Sequence, residues 1–309
     1  MINVLSLFNG ISGCHLALDK AGVEVGQVYY AEIDKYANKV TEKNYPNDIA
    51  LGDVTKWREW NIDWSSIDLV TAGFPCQAWS VAGKQLGDKD ERGMLFWVTL
   101  DIIAHVLKHN PSAKFLMENV KMKKDFEQYI THHTEQALGH VEKTLINSAL
   151  VSAQNRQRYY WTNFEVSQPE DKGILLKDII ENDYVDRDKS YCIDANYHKG
   201  GNLDQYFNKS RRQLVFKTGT IKCGGQGNRI YSELGKSPAL SAQSGGTAGA
   251  GSHLIGEVCQ FRKLTPLECE RLQTFPDNWT DCVSNTQRYK ALGNAWTVDV
   301  IAHIFKCMA

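Results

Sequence analysis

Cys76 stands in the run Gly73-Phe74-Pro75-Cys76-Gln77, directly after the short apolar segment Ile67-Asp68-Leu69-Val70-Thr71-Ala72. That segment has the make-up of an interior parallel strand. The thiol is therefore expected at a strand's carboxyl end, where open α/β sheets place their sites. Cys76 is the candidate nucleophile. A cysteine protease would need a partnered histidine, but His105, His109, His132, His133 and His140 fall in expected helix or turn segments with no matching signature. Glu118 ends the next expected strand, which runs through Lys114-Phe115-Leu116-Met117. A thiol beside a carboxyl suits addition to an electron-poor ring: sulfur attacks a carbon while the acid holds or protonates a ring nitrogen. Arg156 and Arg158, in Gln154-Asn155-Arg156-Gln157-Arg158, would share one side of an extended segment. They are suited to orient the acid or bind phosphate, and equally to stand as plain surface charges.

A second group of residues points to a bound cofactor. Gly10 and Gly13 follow the strand pattern of Val4-Leu5-Ser6-Leu7-Phe8. Glycine there lets backbone approach a ligand, and a helix N-terminus offers free N–H groups. The spacing is not the full G-x-G-x-x-G of a dinucleotide site. Glu32 ends the next strand and suits ribose hydroxyls; Asp53, after Gly52, suits an adenine amino group. Each has a plain alternative, a surface charge for Glu32 and a turn or helix cap for Asp53. Taken together, acids at successive strand ends indicate an adenosine-containing cofactor.

The elements that must hold these groups alternate. The first strand leads to a turn and a helix stopped by Gly22. Val25 to Ala31 is a second strand, and Asp34 caps a second helix. After the strand at 67–73 comes a polar loop from Ser80 to Arg92, then a helix from Met94 to Lys108 ended by Asn110-Pro111. This rhythm specifies a doubly wound parallel α/β sheet. It fails after about residue 165. From there to 258 the chain is richer in Gly, Asn and Ser, and between 186 and 236 ten Lys and Arg face five Asp and Glu. Helical pattern returns at Thr265-Pro266-Leu267-Glu268 and from Thr297 onward.

Composition narrows the class. The 42% hydrophobic and 23% charged residues are ordinary for a globular protein. A net charge of −1 means that nucleic-acid binding must rest on a local basic surface. The eight cysteines form no C-x-x-C pair, which argues against zinc ribbons and thioredoxin-type motifs and fits reduced thiols. No metal site is expected. With no signal peptide pattern and no apolar run near the ~18 residues of a membrane helix, a cytoplasmic, nucleoid-associated monomer is expected.

The motifs then resemble one family over nearly the whole chain, the DNA cytosine-5 methyltransferases. Phe8-Asn9-Gly10-Ile11-Ser12-Gly13 is similar to its cofactor loop and Gly73-Phe74-Pro75-Cys76-Gln77 to its nucleophile motif. Glu118-Asn119-Val120 is similar to its acid motif, and Gln154 with Arg156 and Arg158 to its arginine motif. Arg262-Lys263-Leu264-Thr265-Pro266 with Glu268 and, finally, Gly293-Asn294 complete the set in family order. Two departures look similar to the eukaryotic de novo DNA methyltransferases: Ser6 replaces an acid usual in bacterial members, and Trp296 follows Ala295.

The resemblance implies a class I S-adenosylmethionine-dependent methyltransferase fold, Rossmann-like, with helices on both faces of a mixed, mostly parallel sheet. It implies a catalytic domain over 1–165, a target-recognition domain over 166–258 and a return segment over 259–309. S-adenosylmethionine would bind at Phe8, Asn9, Gly10, Ile11, Gly13, Glu32, Ile33, Asp53, Val54, Pro75, Leu95, Asn294 and Ala295, leaving S-adenosylhomocysteine. Cys76, Glu118, Arg156 and Arg158 would carry catalysis on a cytosine flipped out of double-stranded DNA. Ser80, Lys84, Gln85 and Arg92 in the polar loop, with Gln226, Arg229, Gly245 and Gly246, would touch DNA. The stretches 224–232 and 240–246 resemble recognition loops of bacterial methyltransferases that modify GCGC, which implies a short GC-containing site and a place in restriction-modification. A tRNA cytosine-5 methyltransferase and a catalytically silent DNA-binding homologue are the competing readings. The glycine-rich loops favour DNA, and the intact catalytic set argues against silence.

Overall fold

The structure is a computed structural model and describes residues 1–75, 93–217, 230–231, 254–255 and 260–308. Its centre is a seven-stranded sheet in the order β3-β2-β1-β4-β5-β7-β6. The strands are β1 (Ile2–Leu7), β2 (Val25–Ala31), β3 (Ile49–Ala50), β4 (Leu69–Ala72), β5 (Lys114–Val120), β6 (Glu142–Asn147) and β7 (Gln157–Thr162). The first five pair in parallel, and β7 runs antiparallel to both β5 and β6. The expected mixed, mostly parallel sheet is present.

Alternation along the central strands sends side chains to two cores. Val4, Leu69 and Leu116 join one cluster with α1 (Gly13–Ala21) and α8 (Val298–Lys306). Leu5, Val70, Phe115 and Met117 join the other, with α3 (Met94–His109) and Ile130 of α4 (Lys124–Leu138). This period of two is the geometry of a strand buried on both faces. Gly22 takes a φ of 75° as it stops α1, and the Asp34 carboxylate caps α2 (Lys35–Asn44) by accepting from the Tyr36 and Ala37 amides.

Beyond β7 the chain holds α5 (Leu203–Phe207) and β8 (Leu214–Lys217). Short parallel β9 (Ile230–Tyr231) and β10 (Leu254–Ile255) follow, then β11 (Gln260–Lys263), antiparallel to β8. The return segment thus begins as a strand of this smaller sheet. Tyr206, Leu214 and Phe216 form its own small core. Leu176, Ile179, Ile193 and Tyr197 are buried instead in the main core. The start of the irregular region therefore packs as part of the larger body. α6 (Pro266–Leu272) opens with a capping box between Thr265 and Glu268, and α7 (Asn285–Asn294) precedes α8.

Candidate active site

The loop after β1 is held in an unusual shape. Phe8, Gly10 and Ser12 all have positive φ, at 54°, 58° and 62°, a region costly for residues with a side chain. Buried hydroxyls and amides compensate. Ser6 Oγ donates to Asn9 Oδ1 at 2.9 Å, and Asn9 Nδ2 donates to Ser12 and Thr41 at 3.2 Å each. Ser6, where an acid is usual, is thus part of the loop's internal bracing. Glu32 braces it from β2: its Oε2 accepts from the Gly10 amide at 2.9 Å, and its Oε1 from Ile33 and Asp34. Asp53 does serve as a cap, since Oδ1 accepts from the Thr55 amide and hydroxyl at the start of the 3-10 turn Val54–Glu59. Those hydrogen bonds hold its carboxyl below the ordinary aspartate value.

These residues surround one cavity of about 550 Å³ over the carboxyl ends of β1, β2 and β4. Phe8, Gly10, Glu32, Ile33, Asp53, Val54, Pro75, Leu95, Asn294 and Ala295 line it, as do Glu118, Arg156 and Arg158. A recess of about 50 Å³ behind it is lined by Asn9, Ile11 and Gly13, the remaining expected cofactor residues, together with Ser6 and Trp296. The structure thus brings together every expected cofactor residue and three of the four expected catalytic ones. Cys76, Ser80, Lys84, Gln85, Arg92, Gln226, Arg229, Gly245 and Gly246 lie outside the described residues. Pro75 and Phe74 lead to Cys76 from the cavity wall, and Asn119 Nδ2 pins the Phe74 carbonyl at 3.1 Å.

Glu118 does not end its strand, as the sequence reading expects. Parallel pairing of β5 with β4 stops at Met117, whereas antiparallel pairing with β7 continues to Val120. In that ladder Glu118 faces Tyr160 and Val120 faces Arg158. Glu118 and Arg158 are therefore diagonal neighbours on one face, within reach of long side chains. Arg158 Nε lies 3.0 Å from Glu118 Oε1, with both side chains almost buried.

Arg156 differs. It precedes the first residue of β7, so strand alternation does not hold it beside Arg158. The residue is 4% exposed, and its guanidinium donates to the carbonyls of Ile193, Gly293 and Ala295. Burial draws it below its ordinary pKa, and the charge of Arg158 adds to that. Cys192 Sγ sits 3.2 Å from Arg156 Nη1. Burial alone would raise this thiol, but the charges of Arg156 and Arg158 outweigh it and bring the value down. Cys14, by contrast, is pushed up to about 12 by burial, which suits a packing role.

Of the wall contributed by α7, sequence reasoning found Asn294 but missed Gln287, Lys290 and Ala291. Gln287, Lys290, Ala291 and Asn294 all line the cavity, at offsets of three, four and seven that define one helix face. That spacing was the available signal. Lys290 Nζ donates to Asp34 Oδ2 at 2.6 Å, closing α7 against the cap of α2. Among the described residues there is no group of His, Cys, Asp and Glu that would hold a metal, and no helix long and apolar enough to cross a membrane.

The sheet order, the cavity at the strands' carboxyl ends and the acid–arginine pair define an α/β methyltransferase. A model of the family described as C-5 cytosine-specific DNA methylase matches residues 2–309, and the chain belongs to that family. It is a DNA cytosine-5 methyltransferase. The type II methyltransferase M.HhaI of Haemophilus parahaemolyticus is 32% identical over 329 residues, covering 98% of this chain and 93% of that protein. M.NlaX of Neisseria lactamica is 32% identical over 323 residues, covering 100% and 96%. A solved Entamoeba histolytica methyltransferase, EhMeth, superposes with a TM-score of 0.67 at 15% identity, covering 100% of this chain and 98% of its own. At that identity it speaks for the fold alone.

Proposed function

We propose that this chain methylates C5 of a cytosine extruded from a short GC-containing site in duplex DNA, with Cys76 as a transient covalent nucleophile. The observation that carries this reading is the Glu118–Arg158 pair. It lies in the same cavity that Gly73 and Pro75 border just ahead of Cys76.

The cavity fits the family's donor. Its volume is in the range of a small-molecule site, with Phe8, Val54, Leu95 and Ala295 as apolar walls and Glu32, Asp34 and Asp53 as acceptors. Glu32 would hold ribose hydroxyls, and Asp53 with Val54 the adenine. When bound, S-adenosylmethionine supplies an electrophilic methyl group on a sulfonium, and S-adenosylhomocysteine remains.

The chain's own residues do the rest. Cytosine C5 is a poor nucleophile within an aromatic ring. Addition of Cys76 Sγ to C6 breaks the aromaticity and moves electron density onto C5. Glu118 grips N3 and the exocyclic amine, which favours the adduct. Arg158 holds Glu118 in place. Once C5 is methylated, a water-held base removes the C5 proton, the electron pair reforms the ring double bond, and sulfur leaves. Extrusion of the base costs a few kcal/mol. Residues 80–92 would cover it as a lid and 166–258 would read the site. The basic surplus of 186–236 and the likeness of 224–232 and 240–246 to GCGC-type recognition loops support that assignment. Within it, Gln226 would fill the space left by the base and Arg229 would pair with guanine O6 and N7.

Methylcytosine sequencing of DNA from cells expressing the chain tests the reading. A single modified GC-containing motif, lost in Cys76→Ser, is expected. Methylation of tRNA but not DNA in a labelled-methyl assay, or undiminished DNA methylation by Cys76→Ser, would overturn it.

A further inference from the structure

The Glu118 carboxylate is held from two directions. Arg158 takes Oε1, and the indole Nε1 of Trp296 donates to Oε2 at 3.1 Å. The second contact spans 178 positions and joins the acid to the loop between α7 and α8. That loop is itself pinned on both sides of Trp296. The Ala295 carbonyl accepts from Arg156 Nη2 at 2.8 Å, and Thr297 Oγ1 donates to Gln273 and accepts from Ser148. The indole also has space made for it. A Cβ at Gly73 would stand 2.9 Å from Trp296 Nε1 and 3.4 Å from Glu118 Oε2. Three motifs meet at this point: the glycine ahead of the nucleophile, the acid, and the tryptophan after Ala295.

We propose that Trp296 is a positioning residue for methyl transfer. Its N–H fixes the plane of the Glu118 carboxylate, which Arg158 alone would leave free to turn about its outer torsion. The acid then meets the target base in one orientation. Of the aromatic side chains that fill such a volume, tryptophan brings an N–H at the edge of a rigid ring. A residue without a donor would leave Oε2 partly buried and unmatched. The inference rests on Glu118 being the group that grips the base, and the test separates the two.

Trp296→Phe keeps an aromatic body and removes the donor. The single-turnover rate on duplex DNA should fall about tenfold, the scale of one hydrogen bond to a charged group. KM for DNA and for the methyl donor should stay within about twofold, and the melting temperature should be nearly unchanged. The same change in a Glu118→Gln background should cost nothing further. There Arg158 claims the amide oxygen, and the remaining NH2 cannot accept from the indole. If Glu118→Gln works at the full rate, the reading of Glu118 fails. If Glu118→Gln is impaired while Trp296→Phe is not, or if Trp296→Phe costs the same in both backgrounds, the positioning role fails. Should Trp296→Phe not fold, Gly73→Ala serves instead. Its methyl crowds the indole off the carboxylate and should give the same rate loss at unchanged KM, silent with Glu118→Gln. A fully active Gly73→Ala overturns the proposal.

Discussion

Arg158 points its Nε at Glu118, while Arg156, two residues earlier, turns to three backbone carbonyls on other segments. Arg156 is buried and Arg158 nearly so, yet their removal should read out differently. Arg158→Ala strips a partner from an almost buried carboxylate. Turnover should fall by about a hundredfold, the upper range for a charge-assisted hydrogen bond, in a protein that still folds. A rate loss no larger than the loss of folded protein would sink that role. Arg156→Ala instead orphans the carbonyls of Ile193, Gly293 and Ala295. It should cost about 3 kcal/mol of stability, since each unsatisfied buried acceptor costs roughly 1–3 kcal/mol. Arg156→Lys should restore only part, because an ammonium cannot span a fork of acceptors. Turnover rates and chemical denaturation of the three variants check both expectations. The sequence alone puts these arginines together by spacing. Only the start of β7 at Gln157 separates their tasks, and that boundary depends on pairing with β5 and β6, which no local pattern states.

Elements were legible where their signals are local, as in the helical pattern expected at Thr265–Glu268, which is α6. There the structure adds a capping box between Thr265 and Glu268, and Asp34 and Gly22 bound their helices as expected. α7 was missed because Asn285–Asn294 is polar, with no strong apolar stripe to announce it; Tyr289 and Leu292 reach the main core, and a neighbouring face lines the cavity. Glu268 also shows what its motif holds. It is fully buried and accepts from both outer nitrogens of Arg262 on β11, at 2.8 and 2.9 Å, and from the Glu181 amide. It thereby ties the smaller sheet to α6. Glu268→Ala leaves a partly buried guanidinium short of one partner and the Glu181 amide without its acceptor, and should destabilise by about 3 kcal/mol; equilibrium unfolding with less than 1 kcal/mol of change would contradict this. Asp299, in the first turn of α8, makes a milder tie, accepting from Lys20 of α1 and from Lys172. Burial alone would raise its pKa, but hydrogen bonds from Lys172 and Lys20 outweigh that and keep it below the ordinary 3.8. A depressed folded value means stability that is present above the unfolded pKa and lost as pH falls through the folded one. Asp299→Asn should therefore melt lower than the parent at neutral pH, with the gap closing below about pH 4. A gap that persists to pH 2 would refute the tie.

At the scale of the whole molecule, the cavity belongs to no single stretch of chain. Its walls come from the β1 loop, Glu32, Asp53, the end of β4, α3, β5, the approach to β7 and α7. Gly293 sets the last wall: a Cβ there would lie 2.2 Å from the backbone of Asp194. The motif glycine is demanded by two backbones in contact, not by its φ. The sequence shows the glycine but not the partner strand of chain 99 positions away, since irregular segments carry no pairing rule. A site assembled from so many segments should feed ligand binding directly into global stability, because unfolding any wall releases the ligand. Added S-adenosylhomocysteine should raise the unfolding free energy by RT ln(1 + [L]/Kd), about 2.7 kcal/mol at a hundredfold excess over Kd, in one cooperative transition. Gly293→Ala should lower the unliganded midpoint and also shrink this ligand-induced rise, because α7 can then no longer seat Asn294 and Ala295 at the cavity. Thermal melts with and without the product would show it. An unliganded midpoint lowered with the rise intact would mean that the α7 wall adds stability but takes no part in holding the cofactor.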